Sequence, residues 1–170
     1  SRLSAVENVE LPLLEHTGAS PDDARQTAQE LLSDVAPGID GEAMPRDLGR
    51  GKQRVVALAR ALALRPPLLL MDEPTAGLDS HTARQLDDTV ARLQHEMGFG
   101  ILLFSHEVRH AFGRAERISV MDNGLIVAQG DRAALLASSH PVVAQLMHRR
   151  GARGGAPTRG LASPYSSAAP

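Results

Sequence analysis

The spacing of apolar residues predicts the helices of this chain. In the clearest one, over 82–97, apolar residues recur at intervals of four, three and four, and Gly98 suits its C-cap. A second occupies about 20–35, since Ser20-Pro21 offers a capping serine followed by a proline at the first helical position. Weaker patterns predict further helices over 52–65, which follows Gly51, and over 107–115, 132–137 and 142–148.

Short continuous apolar runs predict the strands. The runs at 68–71 and 101–104 are bounded by breakers or acids, which is typical of strands buried on both faces of a parallel sheet. Asn123-Gly124 is a strong turn signal between apolar runs at 118–121 and 125–128 and predicts a hairpin. Alternating strands and helices indicate an α/β fold, with a mostly parallel sheet flanked by helices.

The composition changes at the C-terminus. Residues 149–170 are rich in Gly, Ala, Ser and Pro without apolar periodicity, which predicts a flexible tail. Its unbalanced arginines suit contact with anionic lipid or a partner, but a solvated tail is the favoured interpretation. Residues 1–148 then form one domain of ordinary size.

Charge and residue usage exclude several classes of function. The formal net charge is −2, so nothing indicates a nucleic-acid partner. The chain has no cysteine, which excludes disulfides, thiolate metal sites and cysteine nucleophiles. No apolar run approaches the roughly 18–20 residues that span a bilayer, so we expect no direct membrane insertion.

The candidate chemistry lies at the end of the run at 68–71, where Asp72 and Glu73 follow directly. Ligands of open α/β sheets bind at the carboxyl ends of strands. In phosphoryl transfer one acid holds Mg²⁺ and another orients the attacking water; Asp72 suits the first role and Glu73 the second. The alternative is an ordinary strand end whose acids face water.

Other motifs surround this pair in a fixed order. Thr75-Ala76-Gly77-Leu78-Asp79 follows it, Ser105-His106 ends the next predicted strand, and Leu48-Gly49-Arg50-Gly51-Lys52 precedes a predicted helix. This set resembles the ATP-binding-cassette (ABC) ATPases over residues 3 to about 148. The resemblance implies a partial P-loop NTPase domain of ABC type, with a helical subdomain and signature helix at about 15–65.

The resemblance also implies roles for individual residues. Asp72 is similar to the Walker B aspartate that holds Mg²⁺, and Glu73 to the general base. His106 is similar to the switch histidine that contacts the γ-phosphate of ATP, and Asp79 belongs to the loop that meets a second subunit. Residues 48–52 take the place of the signature motif, which binds ATP in trans.

Two departures from the family pattern stand out. The signature is commonly Leu-Ser-Gly-Gly-Gln, but here Gly49 replaces the serine and Arg50 the first glycine. Arg50 either acts as a charged clamp or impairs the trans contacts, and impairment is the favoured interpretation. The sequence also contains no G-x-x-x-x-G-K-S/T, the loop that cradles phosphates. We expect the P-loop, the glutamine loop and the adenine-stacking aromatic to lie upstream of residue 1.

The leading hypothesis is therefore an ATP-hydrolysing subunit of an ABC transporter, using ATP and Mg²⁺. It is expected to pair with a second ATPase subunit and a transmembrane permease, at the cytoplasmic face of the membrane. The chain as given is predicted to be inactive alone, and whether it acts as an enzyme stays open. Segments at 7–13, 57–62 and 75–79 look most like Mla/Mce-type phospholipid transport ATPases.

Two alternatives remain. In one, the chain is a degenerate non-catalytic partner or gene remnant, which Gly49 and Arg50 favour and the intact Asp72, Glu73 and His106 oppose. In the other, it is an ABC ATPase of DNA repair or translation. The sequence lacks the coiled coils, tandem cassettes and basic patches of that class.

Overall fold

The computed structural model describes residues 2–106 and 115–148. The chain divides into two units, Ser1–Leu102 and Leu103–Pro170, and each is described by itself. In the first unit the elements are α1 (Ala5–His16), α2 (Pro21–Val35), a 3₁₀ turn (Pro45–Asp47), α3 (Arg50–Leu62), β1 (Leu68–Asp72), α4 (Ser80–Met97) and β2 (Gly100–Phe104), whose last two residues fall in the second unit. The second unit continues with β3 (Ile118–Asp122), β4 (Leu125–Gly130), α5 (Arg132–Leu136) and α6 (Pro141–His148).

Helix α1 was not anticipated by the apolar pattern. It begins with a capping box, in which the Ser4 hydroxyl accepts from the Glu7 amide and the Glu7 carboxylate accepts from the Ser4 amide. Buried Asn8 donates its side-chain amide to the carbonyl of Ser4, at 2.8 Å. Pro12 lies inside the helix and obscures the pattern, since proline usually ends one.

Helix α2 has the bounds that the sequence predicts. The Ser20 hydroxyl accepts from the Asp23 amide at 3.2 Å, and proline occupies the first turn. Its buried face consists of Ala24, Ala28, Leu32 and Val35. On its other side Arg25 pairs with Glu10 and Glu42, which ties α2 to α1 and to the following loop.

Helices α3 and α4 confirm two predictions with shifted ends. Helix α3 starts two residues earlier than predicted, at Arg50, and stops at Leu62, before Arg65 takes a left-handed conformation ahead of the two prolines. Helix α4 ends as predicted at Gly98, which has a φ of 74°. Its N-terminus lies two residues before the predicted one.

The apolar faces of these elements share one core. Residues of α1, α2, α3, α4 and β1 form a single buried cluster, in which Val9, Ala28, Ala59, Leu62 and Leu93 are fully enclosed. Each enclosed leucine contributes about 1.5–3 kcal/mol through removal of its surface from water. This core holds the starts of α3 and α4 in place.

The second unit is built on the predicted hairpin. Strands β3 and β4 are antiparallel, and Asn123 and Gly124 adopt φ angles of 48° and 80°, as a type I′ turn requires. Ile118 and Val120 pack with residues of the two following helices, Leu135 and Val143. Asp131 caps α5 by accepting from the amide of Ala134.

The expected mostly parallel sheet is not what the described residues form. They form two separate two-stranded sheets, β1–β2 and β3–β4, and the second is antiparallel because its tight turn reverses the chain. The expectation that β1 is buried on both faces is also wrong, since Leu69 is buried while Leu68 and Leu70 are exposed. The predicted helix at 107–115 and the predicted tail at 149–170 lie almost entirely outside the described residues. Within the described part of the chain, no helix has the length and apolar character that crossing a membrane requires.

Candidate functional site

The carboxylates of the candidate site sit where β1 gives way to a loop. Asp72 is the last residue of the strand and is exposed on the same face as Leu70, because side chains alternate along a strand. Glu73 follows with a φ of 44°, a left-handed conformation that L-residues rarely adopt. It is half-buried. The structure thus places both acids side by side at the predicted strand end, with different exposure.

The loop after Glu73 is closed by its own backbone. The amide of Ala76 donates to the carbonyl of Glu73 at 3.1 Å, and the amide of Leu78 donates to the carbonyl of Thr75 at 3.1 Å. Thr75 is 7% exposed, and Leu78 packs against the core. These contacts therefore fix the conformation of the loop that leads from Asp72 and Glu73 to Asp79.

Asp79 serves as the N-cap of α4. Its carboxylate accepts from the amides of His81 and Thr82 at 2.9 and 3.0 Å, and from the Thr82 hydroxyl at 2.6 Å. The hydroxyl bond of Thr82 is the main reason that the pKa of Asp79 falls from 3.8 to about 2. Asp79 is thereby held as an anion at the positive end of a helix.

The degenerate signature, residues 48–52, forms the start of α3. Leu48 packs against the core and its carbonyl accepts from the Gln53 side chain at 2.8 Å. Gly49 is the N-cap and supplies no side-chain bond, which is the direct consequence of having no hydroxyl where the family has serine. Its carbonyl still accepts from the Gln53 amide, at 3.0 Å. Lys52 is exposed.

The structure brings this helix start against the loop that follows the acids. A methyl group added at Gly51 would overlap the side chain of Thr82, and one added at Gly77 would lie 3.0 Å from a guanidinium nitrogen of Arg50. Close packing therefore favours glycine at position 51, whereas Gly77 is favoured by its φ of 74°, since the guanidinium of Arg50 can move aside. The signature residues and the loop at 75–82 form one constellation.

A cleft of about 350 Å³ opens on this constellation and is lined by Arg50, Gln53, Arg54, Ala57 and Ala76. Arg50 and Arg54 are one helical turn apart, so their side chains lie on one face. No acidic residue occupies the first turn of α3. Guanidinium groups beside free helix amides suit an anion such as phosphate.

His106 follows β2 and is described with the second unit. Its side chain is exposed. Among the described residues no group of three or more His, Asp or Glu side chains converges into a ready metal cage.

Sequence reasoning missed the contact residue Thr82 and the cleft residues Gln53 and Arg54. The first had a readable signal, because aspartate is a common N-cap residue whose carboxylate accepts from the amide two or three residues later. Gln53 and Arg54 had no such signal, because the sequence of an exposed helix does not show which loop packs beside it.

Comparison with known proteins agrees with this arrangement. Residues 1–76 match the family model described as ABC transporter. The methionine import ATP-binding protein MetN 1 of Rhodococcus jostii is 36% identical over 140 residues, covering 82% of this chain and 41% of that protein. The energy-coupling factor transporter ATP-binding protein EcfA2 of Lactiplantibacillus plantarum is 40% identical over 116 residues, covering 66% and 39%.

A solved structure also resembles the chain. It is the ATP-binding cassette MJ0796, described as a dimer in a post-hydrolysis state bound to ADP and Pi, with 34% identity and a TM-score of 0.65. The match covers 76% of this chain and 57% of that one. The chain thus spans about two-fifths of the two curated relatives and little more than half of the solved cassette.

One of these relatives is a methionine import protein and the other an energy-coupling factor transporter protein, so they do not support the predicted likeness to Mla/Mce-type lipid transporters. The more general prediction, likeness to the ATP-binding domain of ABC transporters, is confirmed by the family match, by identities of 34–40% and by the shared fold. This chain is part of an ABC transporter ATP-binding domain.

Proposed function

We propose that this chain is the catalytic-carboxylate and signature part of the ATP-binding subunit of an ABC importer. The observation that carries the proposal is the constellation at the end of β1. There Asp72 and Glu73 lead through a closed loop to Asp79, and the start of α3 packs against the same segment. Similarity to MetN 1 and EcfA2 supports the importer class.

Asp72 fits the role of a Mg²⁺ ligand. Mg²⁺ commonly takes one or two carboxylates and completes its shell with phosphate oxygens and water, so a single exposed carboxylate at a strand end suffices. Bound Mg²⁺ would supply charge neutralisation at the transferred phosphate. In this proposal Asp72 holds the ion, and no larger cage of side chains is needed.

Glu73 fits the role of orienting the attacking water. It lies next to Asp72 but is half-buried, and its left-handed backbone is a costly conformation of the kind that clusters at functional sites. His106 would contact the γ-phosphate and Asp79 would border the second subunit. These two roles stay predictions from the family resemblance.

The phosphate cradle is the part that these residues do not supply. A P-loop provides backbone amides and a lysine that together carry much of the electrostatic hold on ATP, and no such motif occurs in the sequence. We therefore propose that the chain by itself neither binds Mg-ATP tightly nor hydrolyses it. In the complete assembly a P-loop segment, a second ATPase subunit and a permease at the cytoplasmic face of the membrane would be present.

A second candidate is a non-catalytic partner that supplies only an interface. The specific observation in its favour is the start of α3, where Gly49 gives no side-chain cap and Arg50 occupies space beside Gly77. In the catalytic proposal Arg50 and Arg54 instead line a phosphate cleft. The two candidates predict opposite effects of restoring glycine at position 50.

A chimera tests both candidates. Residues 2–148 replace the matching region of MetN 1 from Rhodococcus jostii, which then supplies the remainder of the cassette. We expect ATP hydrolysis that Glu73→Gln lowers by about 10²–10⁴-fold, the range for loss of a general base, without loss of nucleotide binding.

The result that decides between the candidates is the effect of Arg50→Gly in the same chimera. Turnover that is equal or lower after the substitution contradicts the degenerate candidate. A chimera that folds and binds ATP but hydrolyses it only after Arg50→Gly contradicts the catalytic one.

A further inference from the structure

Thr82 contacts two parts of the candidate site with one side chain. Its hydroxyl donates to Oδ2 of Asp79 at 2.6 Å, while Oδ1 of the same carboxylate accepts from the amides of His81 and Thr82 at 2.9 and 3.0 Å. The Cγ2 methyl of Thr82 lies against Gly51, because it is the atom that a methyl group added there would overlap. Thr82 therefore links the first turn of α4 to the first turn of α3.

The two contacts of Thr82 depend on each other. Threonine is branched at Cβ, so the rotamer that directs its hydroxyl to Asp79 also determines where its methyl lies. Position 51 leaves room for that methyl only while it has no side chain of its own. The residue that holds Asp79 as the cap of α4 thus also sets the spacing between the starts of α3 and α4.

The elements that Thr82 links are those that the proposed function directs toward a second subunit. Residues 48–52 stand at the place of the motif that binds ATP in trans, and Asp79 would border the second subunit. Backbone hydrogen bonds close the loop between Glu73 and Asp79. Two subunits that pair through both elements need them at a fixed spacing, since preorganised surfaces lose less free energy on association.

We propose that Thr82 is a positioning residue for the pairing of two ATP-binding subunits. Its hydroxyl orients Asp79, and its methyl sets the distance between the start of α3 and the start of α4. This inference rests on the proposed function, because it names the side chain that aligns the two elements which would meet a second subunit. Thr82 acts through Asp79 and Gly51 and takes no part in the chemical step.

Paired variants of α4 test the proposal in the MetN 1 chimera. Thr82→Val keeps the branched shape and deletes the hydroxyl, whereas Thr82→Ser keeps the hydroxyl and deletes the methyl. Thr89→Val is the matched control, because the Thr89 hydroxyl donates to the carbonyl of Gln85 in its own helix, at 2.9 Å. Each protein also carries Glu73→Gln so that ATP is retained, and dimerisation is measured by analytical ultracentrifugation with and without Mg-ATP.

We expect Thr82→Val to weaken the ATP-dependent dimer by about tenfold, the effect of losing one hydrogen bond to a charged group. Thr82→Ser should also weaken it, because the start of α3 loses its contact with α4. Thr89→Val should pair like the parent chimera. The Kd of each monomer for Mg-ATP should stay unchanged, because the P-loop of the host binds the nucleotide within one subunit. A merely structural role of Thr82 would lower the melting temperature without changing dimerisation.

Three results overturn the proposal. Equal dimerisation of the Thr82→Val and Thr89→Val proteins would show that the Thr82 hydroxyl does not position the interface. Unchanged dimerisation of the Thr82→Ser protein would show that the methyl does not set the spacing. A loss of ATP affinity in the monomer as large as the loss of dimerisation would place the effect at the nucleotide instead of at subunit pairing.

A measurement on the isolated chain separates this inference from the proposed function. A parent chimera that folds but does not dimerise with Mg-ATP contradicts the proposed function, whereas the link between α3 and α4 is read by NMR without nucleotide. Thr82→Ser should lower the backbone order parameters of residues 50–53, and Thr89→Ser should not. Unchanged order parameters after Thr82→Ser would overturn the inference even in an active chimera.

Discussion

The contact between Gly51 and Thr82 yields a prediction whose sign is unusual. Replacing glycine by alanine inside a helix normally stabilises by up to about 1 kcal/mol. Here the added methyl would overlap Cγ2 of Thr82. We predict that Gly51→Ala destabilises the chain.

The magnitude follows from how firmly Thr82 is held. Rotating its side chain away would break the 2.6 Å bond from its hydroxyl to Asp79, and its β-branched side chain has few other helical rotamers. Overpacking of this kind costs about 1–3 kcal/mol. After subtraction of the helix-propensity gain, we expect a net loss of up to about 2 kcal/mol.

Urea unfolding of the isolated chain measures the loss as a lower midpoint with an unchanged slope. Thr82→Ser is the matched control, because it deletes the overlapping methyl and keeps the hydroxyl that donates to Asp79. In that background Gly51→Ala should be neutral or stabilising. The two changes should therefore depart from additivity by about 1–3 kcal/mol, well above the ~0.5 kcal/mol expected of independent sites.

Two results would refute this reasoning. A stabilising effect of Gly51→Ala in the wild-type background would mean that the start of α3 does not pack against α4 as described. Additive effects of Gly51→Ala and Thr82→Ser would mean that the methyl of Thr82 is not the obstacle.

Three further predictions concern stability. Leu93→Ala, at a fully enclosed position, should lower the free energy of unfolding in urea by about 2–5 kcal/mol, whereas Leu14→Ala at a half-exposed one should cost far less; equal losses would contradict the described core. Asp79→Asn should change stability in acid, since the lowered pKa of Asp79 contributes stability that is present above pH 3.8 and lost as the pH falls through about 2. The difference in free energy of unfolding between wild type and variant, measured in urea, should therefore vanish over that pH range. A difference that stays constant with pH would exclude the ionised cap. Gly124→Ala should destabilise the hairpin by about 1 kcal/mol because its φ is 80°, and an unchanged melting temperature would argue against that turn.

Elements with strong local signals could be predicted from the sequence. Helix α2 was predictable at both ends because its signals are local. A capping serine and a proline mark its start, and Pro37 follows its last residue closely. The C-terminus of α4 was predictable because Gly98 accepts a left-handed backbone. The hairpin turn was predictable for the same reason at Gly124.

Elements that depend on distant partners were not predictable. Helix α1 contains Pro12, which hid a helix that the Ser4–Glu7 capping box could have revealed. The exposure of Leu68 and Leu70 was missed because an apolar run tells which surfaces are fit for burial and not which are covered. Asp72 and Glu73 were predicted at the strand end. Their exposure and the left-handed backbone of Glu73 became visible only in the three-dimensional structure.

The role of Arg50 could not be predicted from the sequence. The replacement of glycine by arginine was visible in the sequence, and it left two interpretations open. The structure adds that Arg50 lies beside Gly77 and lines a cleft with Arg54, and both interpretations are compatible with this arrangement. Its effect on catalysis stays a matter for the Arg50→Gly chimera.

The central claim is that this chain carries the Asp72 side of an ATP site and takes its phosphate cradle from elsewhere. Calorimetric titration of Mg-ATP into the isolated chain and into the MetN 1 chimera tests it most directly. We predict no binding to the chain alone and binding to the chimera at about micromolar Kd, near −8 kcal/mol. Micromolar binding by the isolated chain, or none by a folded chimera, would contradict the account.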